Sequence, residues 1–433
     1  MRLPRAENPG WNSSAIPARF SGIPNRWQSS SELGCTERAQ SISSDYMYKI
    51  LTFNNISVAG LERFRRDKYE VASEIQHPDA ILLRSFDLHG VLIPETVKAV
   101  GRAGAGVNNI PVNEMTQRGI PVFNTPGANS NAVAELVVAG MLLAYRRICD
   151  AWWFAKQLSG DDDQVNRDVE SGKKQFVGRE LPAKTLGIIG LGAIGVRVAN
   201  AAHALGMHVV GCDPMISLNN AWKLSSSVMQ ASSLDELLSR SDFVSVHVPY
   251  NQNTHHTINA DRIRLMKEQA VVLNFSRGGV MDDIAVCEAL DHGKLSAYVC
   301  DFPNPRLLAH PKVIALPHLG ASTREAEENC ALMVVDQIQD FLENGNIHNS
   351  VNFPDIALPR IEGYRIVVSN ENIPHMVSQI STYLADAGLN IIDLINKSRG
   401  DVAFTVIDVG SEVPAETLRQ IQSINGVLSA RLI

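Results

Sequence analysis

Apolar residues in this chain follow two rhythms. Short unbroken runs (Tyr48 to Phe53, Ala80 to Leu83, Ile120 to Phe123, Leu186 to Ile189, Met207 to Gly211) alternate with longer stretches in which they recur every three or four positions (Ala132 to Tyr145, Val196 to Leu205). The first rhythm predicts strands buried on both faces and the second predicts helices laid against them, so the pattern is α/β with parallel sheets. It continues through Phe243 to Val248, Val271 to Phe275, Ala297 to Cys300 and Val313 to Leu316. Pro94 to Val100 reads as a short helix, and Asn131 as the cap of the helix that opens at Ala132.

Four stretches break the rhythm. Residues 1–46 are rich in Ser, Pro and Asn with little apolar periodicity, and read as a disordered extension, as translation upstream of Met47, or as a targeting segment. Between Cys149 and Lys184 the chain turns polar; Asp161 to Asp163 predict a solvated loop, and Trp152 and Trp153 just before it predict a buried contact, between subunits. Pro354 and Pro359 mark a linker over 350–360. Beyond it, strands at Tyr364 to Ser369, Asn390 to Asn396, Val402 to Val409 and Val427 to Leu432 are interleaved with helices at Ile373 to Ala387 and Ala415 to Ile424, the βαββαβ order of a ferredoxin-like module.

Composition narrows the class of function. A chain of 433 residues is long enough for two or three domains, and a net charge of −7 gives no pull toward nucleic acid or an anionic membrane. The six cysteines are scattered with no C-x-x-C pair, which fits reduced thiols in the cytoplasm and gives neither a metal-ligand spacing nor a disulfide framework. No apolar run approaches the length that spans a membrane.

The stretch Lys184 to Asp213 carries the first chemistry. A strand runs into Gly190, Gly192 and Gly195 at G-x-G-x-x-G spacing, a helix follows through Ala193 and Ile194, and a second strand ends at Asp213. Gly190 permits a tight turn, Gly192 lets backbone approach a pyrophosphate, and Gly195 lets helix pack on strand. The helix N-terminus offers N–H groups to phosphates, and the acid accepts ribose hydroxyls. The rival reading is a βαβ packing turn. Asp213, with no Arg close behind it, favours NAD over NADP.

The second signal lies at the strand ends. His247-Val248-Pro249, Ser276-Arg277-Gly278-Gly279, Asp301, and Pro317-His318-Leu319-Gly320 each follow a predicted parallel strand, and ligands of open parallel sheets sit outside the carboxyl ends. Glycines beside Arg102 and Asn108 suggest backbone wrapped round a small anion, or only a turn with a surface arginine.

Together GLGAIG…D, HVPYNQNTHHTIN, NFSRGGVMDD and PHLGAST resemble the NAD-dependent D-2-hydroxyacid dehydrogenase family over about Met47 to Asn352, and the tail is similar to an ACT domain. The resemblance implies a Rossmann-like NAD-binding lobe (148–317) inserted in a flavodoxin-like substrate lobe (47–147 and 318–352), then the ACT-like domain (361–433). It implies oxidation of a small-molecule substrate, D-3-phosphoglycerate, as the first step of serine biosynthesis, by a homo-oligomer. Another 2-hydroxyacid (2-hydroxyglutarate or glycerate) and an NAD-sensing corepressor are the alternatives. By the same likeness His318 is the general base and Arg277 the carboxylate clamp; Arg84, Ser85 and Asn108 hold substrate. Ser276, Asp301, Gly320 and the His247 to Pro249 segment join the glycines and Asp213 around the cofactor.

Two departures qualify the likeness. The family pairs its histidine with a glutamate shortly after the Asp301 position, but here Asp301-Phe302-Pro303-Asn304-Pro305-Arg306 contains none. ACT effector sites resemble an H-x-N-x-P-G turn plus an Asn. Asn372 and Asn390 match as effector candidates, whereas Asn370 replaces the His, and His375 replaces the Gly and is expected to fill the site. Weak or absent inhibition by serine follows.

Overall fold

The computed structural model describes residues 46–53 and 56–433. The extension over 1–46 lies outside the described residues up to position 45. The first sheet is five-stranded and wholly parallel. It comprises β1 (Tyr48–Phe53), β2 (Tyr69–Ala72), β3 (Ala80–Leu83), β4 (Ala99–Arg102) and β5 (Val122–Phe123) in the order β2-β1-β3-β4-β5. This is the flavodoxin-like order. All four residues of β3 are buried because helices cover both faces: Ile81 and Leu83 pack with Met115 and Leu88, and Ala80 and Leu82 with Val334 and Ile338. The helix Arg324–Asn344, which supplies Val334 and Ile338, returns to this lobe after the second sheet.

The second sheet is seven-stranded and parallel. It is formed by β6 (Thr185–Ile189), β7 (His208–Cys212), β8 (Met229–Gln230), β9 (Phe243–Val246), β10 (Ala270–Asn274), β11 (Leu295–Cys300) and β12 (Val313–Ala315). Its order, β12-β11-β10-β9-β6-β7-β8, reverses between β6 and β9, the switch point of a doubly wound nucleotide fold. The third sheet is antiparallel, β14 (Ile391–Arg399), β15 (Val402–Val409), β13 (Tyr364–Glu371) and β16 (Val427–Leu432) in that order, with helices Met376–Asp386 and Ala415–Gln422 on one face.

The other face of the third sheet packs on the first lobe. Alternate β15 residues Val402, Phe404 and Val406 share a core with Tyr48, Phe123 and Phe341, while Ile407 and Val409 face the tail's own helices. The segment expected to be a linker belongs to that shared core, because Phe353, Ile356 and Leu358 are buried in it. Prolines there shape a packed crossing.

Several local expectations are corrected. Pro94 to Val100 forms no helix; a turn leads into β4, because the sheet's parallel pairing claims Ala99 and Val100. The long helix is Ser130–Arg146 with Asn129 at its cap, and Asn131 donates instead to Glu135 Oε1 at 2.8 Å. Asp161 to Asp163 open a helix, Asp162–Gly172, in which the Asp161 carboxylate accepts from the Gln164 N–H at 2.8 Å and all three acids favour the helix N-terminus. Trp152 and Trp153, by contrast, call for no correction: they are exposed on the single chain, 58% and 61%, and so accessible to a second copy. No described helix is long and apolar enough to cross a membrane.

Candidate active site

Parallel register sets the site's floor. Ile189 pairs with Val246 and Cys212, Asn274 with Val246 and Cys300, and Cys300 with Ala315. Gly190, Asp213, His247, Phe275, Asp301 and Leu316 therefore leave the sheet at one level. In the other lobe Leu83 pairs with Arg102, so Arg84 leaves the sheet beside Ala103.

The glycine turn has the geometry a dinucleotide requires. Gly190 has φ +92°, and a Cβ there would lie 2.7 Å from the His247 carbonyl oxygen; a Cβ on Gly195 would lie 2.0 Å from the Gly190 carbonyl oxygen. A Cβ on Gly192 meets nothing within 4 Å, which leaves open space above the turn. The helix Ala193–Ala204 starts there with no side-chain cap, so the N–H groups of Ala193, Ile194 and Gly195 stay available to an anion. Asp213 Oδ2 accepts from the Leu191 N–H at 2.7 Å and Oδ1 from the Met215 N–H at 2.8 Å, and each oxygen keeps a lone pair. Val248 packs beside Gly190, with Pro249 exposed next to it. His247 Nε2 meets the Ser245 hydroxyl at 2.8 Å, its Nδ1 is buried without a partner, and burial holds its pKa at about 4. Its imidazole is therefore neutral at neutral pH.

A second cluster converges on Gly106. A Cβ there would lie 3.4 Å from Arg277 Nη2, 3.4 Å from Asn108 Oδ1 and 3.9 Å from Arg102 Nη1. Arg102 Nε donates to the Arg84 carbonyl oxygen at 3.1 Å, and Arg84 Nη1 pairs with Glu327 Oε1 at 2.8 Å. Ser85 is exposed beside Arg84. The turn carrying Arg277 is built by buried Asn274. Its amide donates to the Arg277 carbonyl oxygen at 2.9 Å, and its Oδ1 accepts from the Ser276 N–H at 3.1 Å and hydroxyl at 2.7 Å. The Arg277 guanidinium lies over the Phe302 ring at 5.5 Å, and that ring packs on His318 with centroids 4.3 Å apart.

Electrostatics separate the titratable groups. Burial, then the guanidinium charges of Arg277 and Arg102, lower the His318 pKa below its ordinary value. No carboxylate pairs with its ring among the described residues. Asp282 caps the helix Asp283–Asp291, and Asp283 Oδ2 accepts from Asn304 at 2.7 Å. Asn304, in the segment where a glutamate was expected, also caps the helix Pro305–Ala309 through the Leu307 N–H. Asp301 is 2% exposed; burial raises its pKa to about 6 against the opposing pull of the nearby Gly320 N–H, and neither carboxylate oxygen has a side-chain partner. Gly320 stands against Asp301, its Cβ position 3.6 Å from Oδ2.

The sequence leaves Arg102 open, gives no sign of Asn274, and offers the Glu325 to Glu328 helix start as an acid for His318, whereas Glu327 pairs with Arg84. The Arg102 guanidinium lies over Gly104, two residues on, where a Cβ would stand 2.2 Å from Nη1 and displace it. Asn274 reads as one more strand residue, and only its buried amide reveals the turn it braces.

In the tail, Asn370, Asn372, His375, Asn396, Ser378 and Ser381 line a cavity of about 590 Å³. His375 has φ +70° and lines this cavity without filling it, so its ring leaves room where none was expected. Asn390 is exposed and does not line it.

Residues 146–320 match the family described as D-isomer specific 2-hydroxyacid dehydrogenase, NAD binding domain, and residues 364–426 match the ACT domain. A protein of Methanocaldococcus jannaschii named D-3-phosphoglycerate dehydrogenase is 36% identical over 341 residues, 76% of this chain and 61% of that protein. The chain thus spans about three fifths of that relative's length. The Escherichia coli K12 protein of the same name is 33% identical over 352 residues, 78% of this chain and 82% of its own. Among solved structures, NAD+-bound 3-phosphoglycerate dehydrogenase of Entamoeba histolytica is similar with a TM-score of 0.54 at 25% identity, covering 71% of this chain and 99% of that one.

Proposed function

The chain belongs to the D-isomer specific 2-hydroxyacid dehydrogenases, and on that premise we propose that it oxidises D-3-phosphoglycerate to 3-phosphohydroxypyruvate with NAD. The observation that carries the reading is the convergence of Arg277, Arg102 and Asn108 on Gly106, with the His318 ring and Arg277 sharing Phe302.

NAD, when bound, supplies the hydride acceptor for C2. Gly190 to Gly195 with Asp213 would hold its pyrophosphate and ribose, and the Asp301 carboxylate, whose oxygens have no side-chain partner, suits the amide hydrogens of a carboxamide. Arg277 presents a planar fork to the substrate carboxylate and polarises the C2–O bond. The neutral imidazole of His318 takes the C2 hydroxyl proton as the carbon is oxidised, and returns a proton in the reverse direction. Arg84, Ser85, Arg102 and Asn108 hold the phosphate end.

We assign 47–147 with 318–352 to the substrate lobe, 148–317 to the cofactor lobe and 361–433 to the tail. The enzyme would be a cytoplasmic homo-oligomer: Cys149, Cys212, Cys287, Cys300 and Cys330 are free, and exposed Ile148, Trp152 and Trp153 offer an apolar face to a second copy. The test is product identity. NADH should form one-for-one with a ketoacid trapped as the hydrazone of 3-phosphohydroxypyruvate, and a different ketoacid refutes the assignment.

A further inference from the structure

Three guanidiniums meet around the proposed substrate site, and one carboxylate stands among them. Arg84 and Arg277 both act on Arg102, whose pKa is lowered by burial first and then by these like charges. Glu327 answers this charge through Arg84 alone, Oε1 to Nη1 at 2.8 Å. Among the described residues Nε and Nη2 of Arg84 make no side-chain hydrogen bond. Glu327 comes from the first turn of the helix Arg324–Asn344, fixed by Thr323, whose hydroxyl accepts from the Ala326 N–H at 3.1 Å. That turn follows the His318 to Gly320 segment directly, so one stretch of chain places both groups.

We propose that Glu327 is a built-in counter-ion that holds Arg84 in the empty site and yields it to the anionic far end of the substrate. The pair is half-exposed, at 33% and 43%, and such pairs contribute about 1 kcal/mol or less. A bidentate phosphate–guanidinium contact is stronger and outcompetes it. A ligand with a second anionic group therefore displaces Glu327, whereas a short hydroxyacid leaves the pair intact. Glu327 is a specificity-setting residue that acts through Arg84 and stays out of the chemistry.

This inference rests on the phosphoglycerate reading, and its test separates the two. In Glu327→Gln, which keeps the shape and loses the charge, KM for D-3-phosphoglycerate should fall roughly two- to fivefold, the scale of one half-exposed ion pair, with kcat little changed. KM for D-glycerate should not move. Glu327→Ala should shift KM in the same direction, whereas a residue that merely braces Arg84 would raise it. An unchanged or higher KM for phosphoglycerate, or an equal shift for D-glycerate, overturns the proposal. If the wild-type enzyme does not oxidise phosphoglycerate, the functional reading fails and inorganic sulfate still decides. As a competitive inhibitor of the hydroxyacid that is oxidised, it should bind more tightly to Glu327→Gln, and equal or weaker inhibition refutes the counter-ion.

Discussion

The His318 imidazole and the Phe302 ring lie 4.3 Å apart with their planes at 46°, and no carboxylate among the described residues pairs with that imidazole. A histidine paired with an acid has its pKa raised; burial and two guanidiniums lower this one. In the proposed reaction the neutral form is the base for oxidation, and the lowered pKa makes that form predominate at neutral pH. Activity that depends on it should be lost only as pH falls below the ordinary histidine value of about 6.5. The profile of kcat/KM for oxidation, compared with His318→Ala, checks this, and a His318-dependent limb above pH 7 contradicts it. His318→Ala should itself lose roughly a hundredfold or more in kcat.

Asp301 titrates on the other side of the reaction. With its pKa raised to about 6 by burial, it is mostly a carboxylate at pH 7.5 and mostly neutral at pH 5. A carboxylate accepts two hydrogen bonds from a carboxamide better than a neutral acid does, so NADH affinity should fall as pH drops through about 6. Nicotinamide fluorescence titrations between pH 5 and 8 read this directly. The same titrations on Asp301→Asn should give weaker binding with no such pH step.

The parallel α/β architecture was legible because β3, β6, β9 and β10 are buried on both faces and therefore mostly apolar, with only Ser245 inside β9 and polar residues at the ends of β6 and β10. Strand ends were legible for the same reason: Arg84, His247, Arg277 and Asp301 stand where apolar runs stop. Pro94 to Val100 misled because sheet pairing overrides a local pattern. The linker misled because prolines report backbone shape and say nothing of burial. Glu327 pairs with Arg84, far away along the chain, and no local pattern announces that contact. Asn274 braces a turn only three residues on, yet its place at the end of an apolar strand gives no sign of it.

Arg277→Lys keeps the charge and loses the fork. It should raise KM for the hydroxyacid and lower kcat, costing roughly 1–3 kcal/mol in kcat/KM, with NAD affinity unaltered. Steady-state kinetics with varied hydroxyacid and varied NAD separate these effects.

Asp213 should make the enzyme discriminate between cofactors. Its two oxygens are fixed by the Leu191 and Met215 N–H groups at the end of β7, where a 2′-phosphate would meet a carboxylate with no salt-bridged cation among the described residues. The ratio of kcat/KM for NAD to that for NADP should be well above one, and Asp213→Ser should narrow it.

The tail should prove inseparable from the catalytic part. Arg365 is wholly buried, donates to both Asp408 oxygens at 2.6 Å, and reaches the carbonyl oxygens of Asn344 and Leu358 at 2.9 Å. Arg431 donates to the Leu342 carbonyl oxygen at 3.1 Å and to that of Phe341. The helix Arg324–Asn344 has no basic residue in its own last turn, so the tail supplies its C-terminal cations. Asp408→Ala leaves the Arg365 charge buried and should destabilise by about 3–5 kcal/mol. Urea denaturation should show one transition for the substrate lobe and tail together.

The most direct test of the functional claim is kcat/KM for NAD reduction with D-3-phosphoglycerate, D-glycerate and D-2-hydroxyglutarate as competing choices. Two arginines beyond the Arg277 clamp should favour the phosphorylated acid by at least ~100-fold over D-glycerate, the scale of two charge-assisted contacts. Equal rates for the three acids, or a preference for 2-hydroxyglutarate, would contradict it.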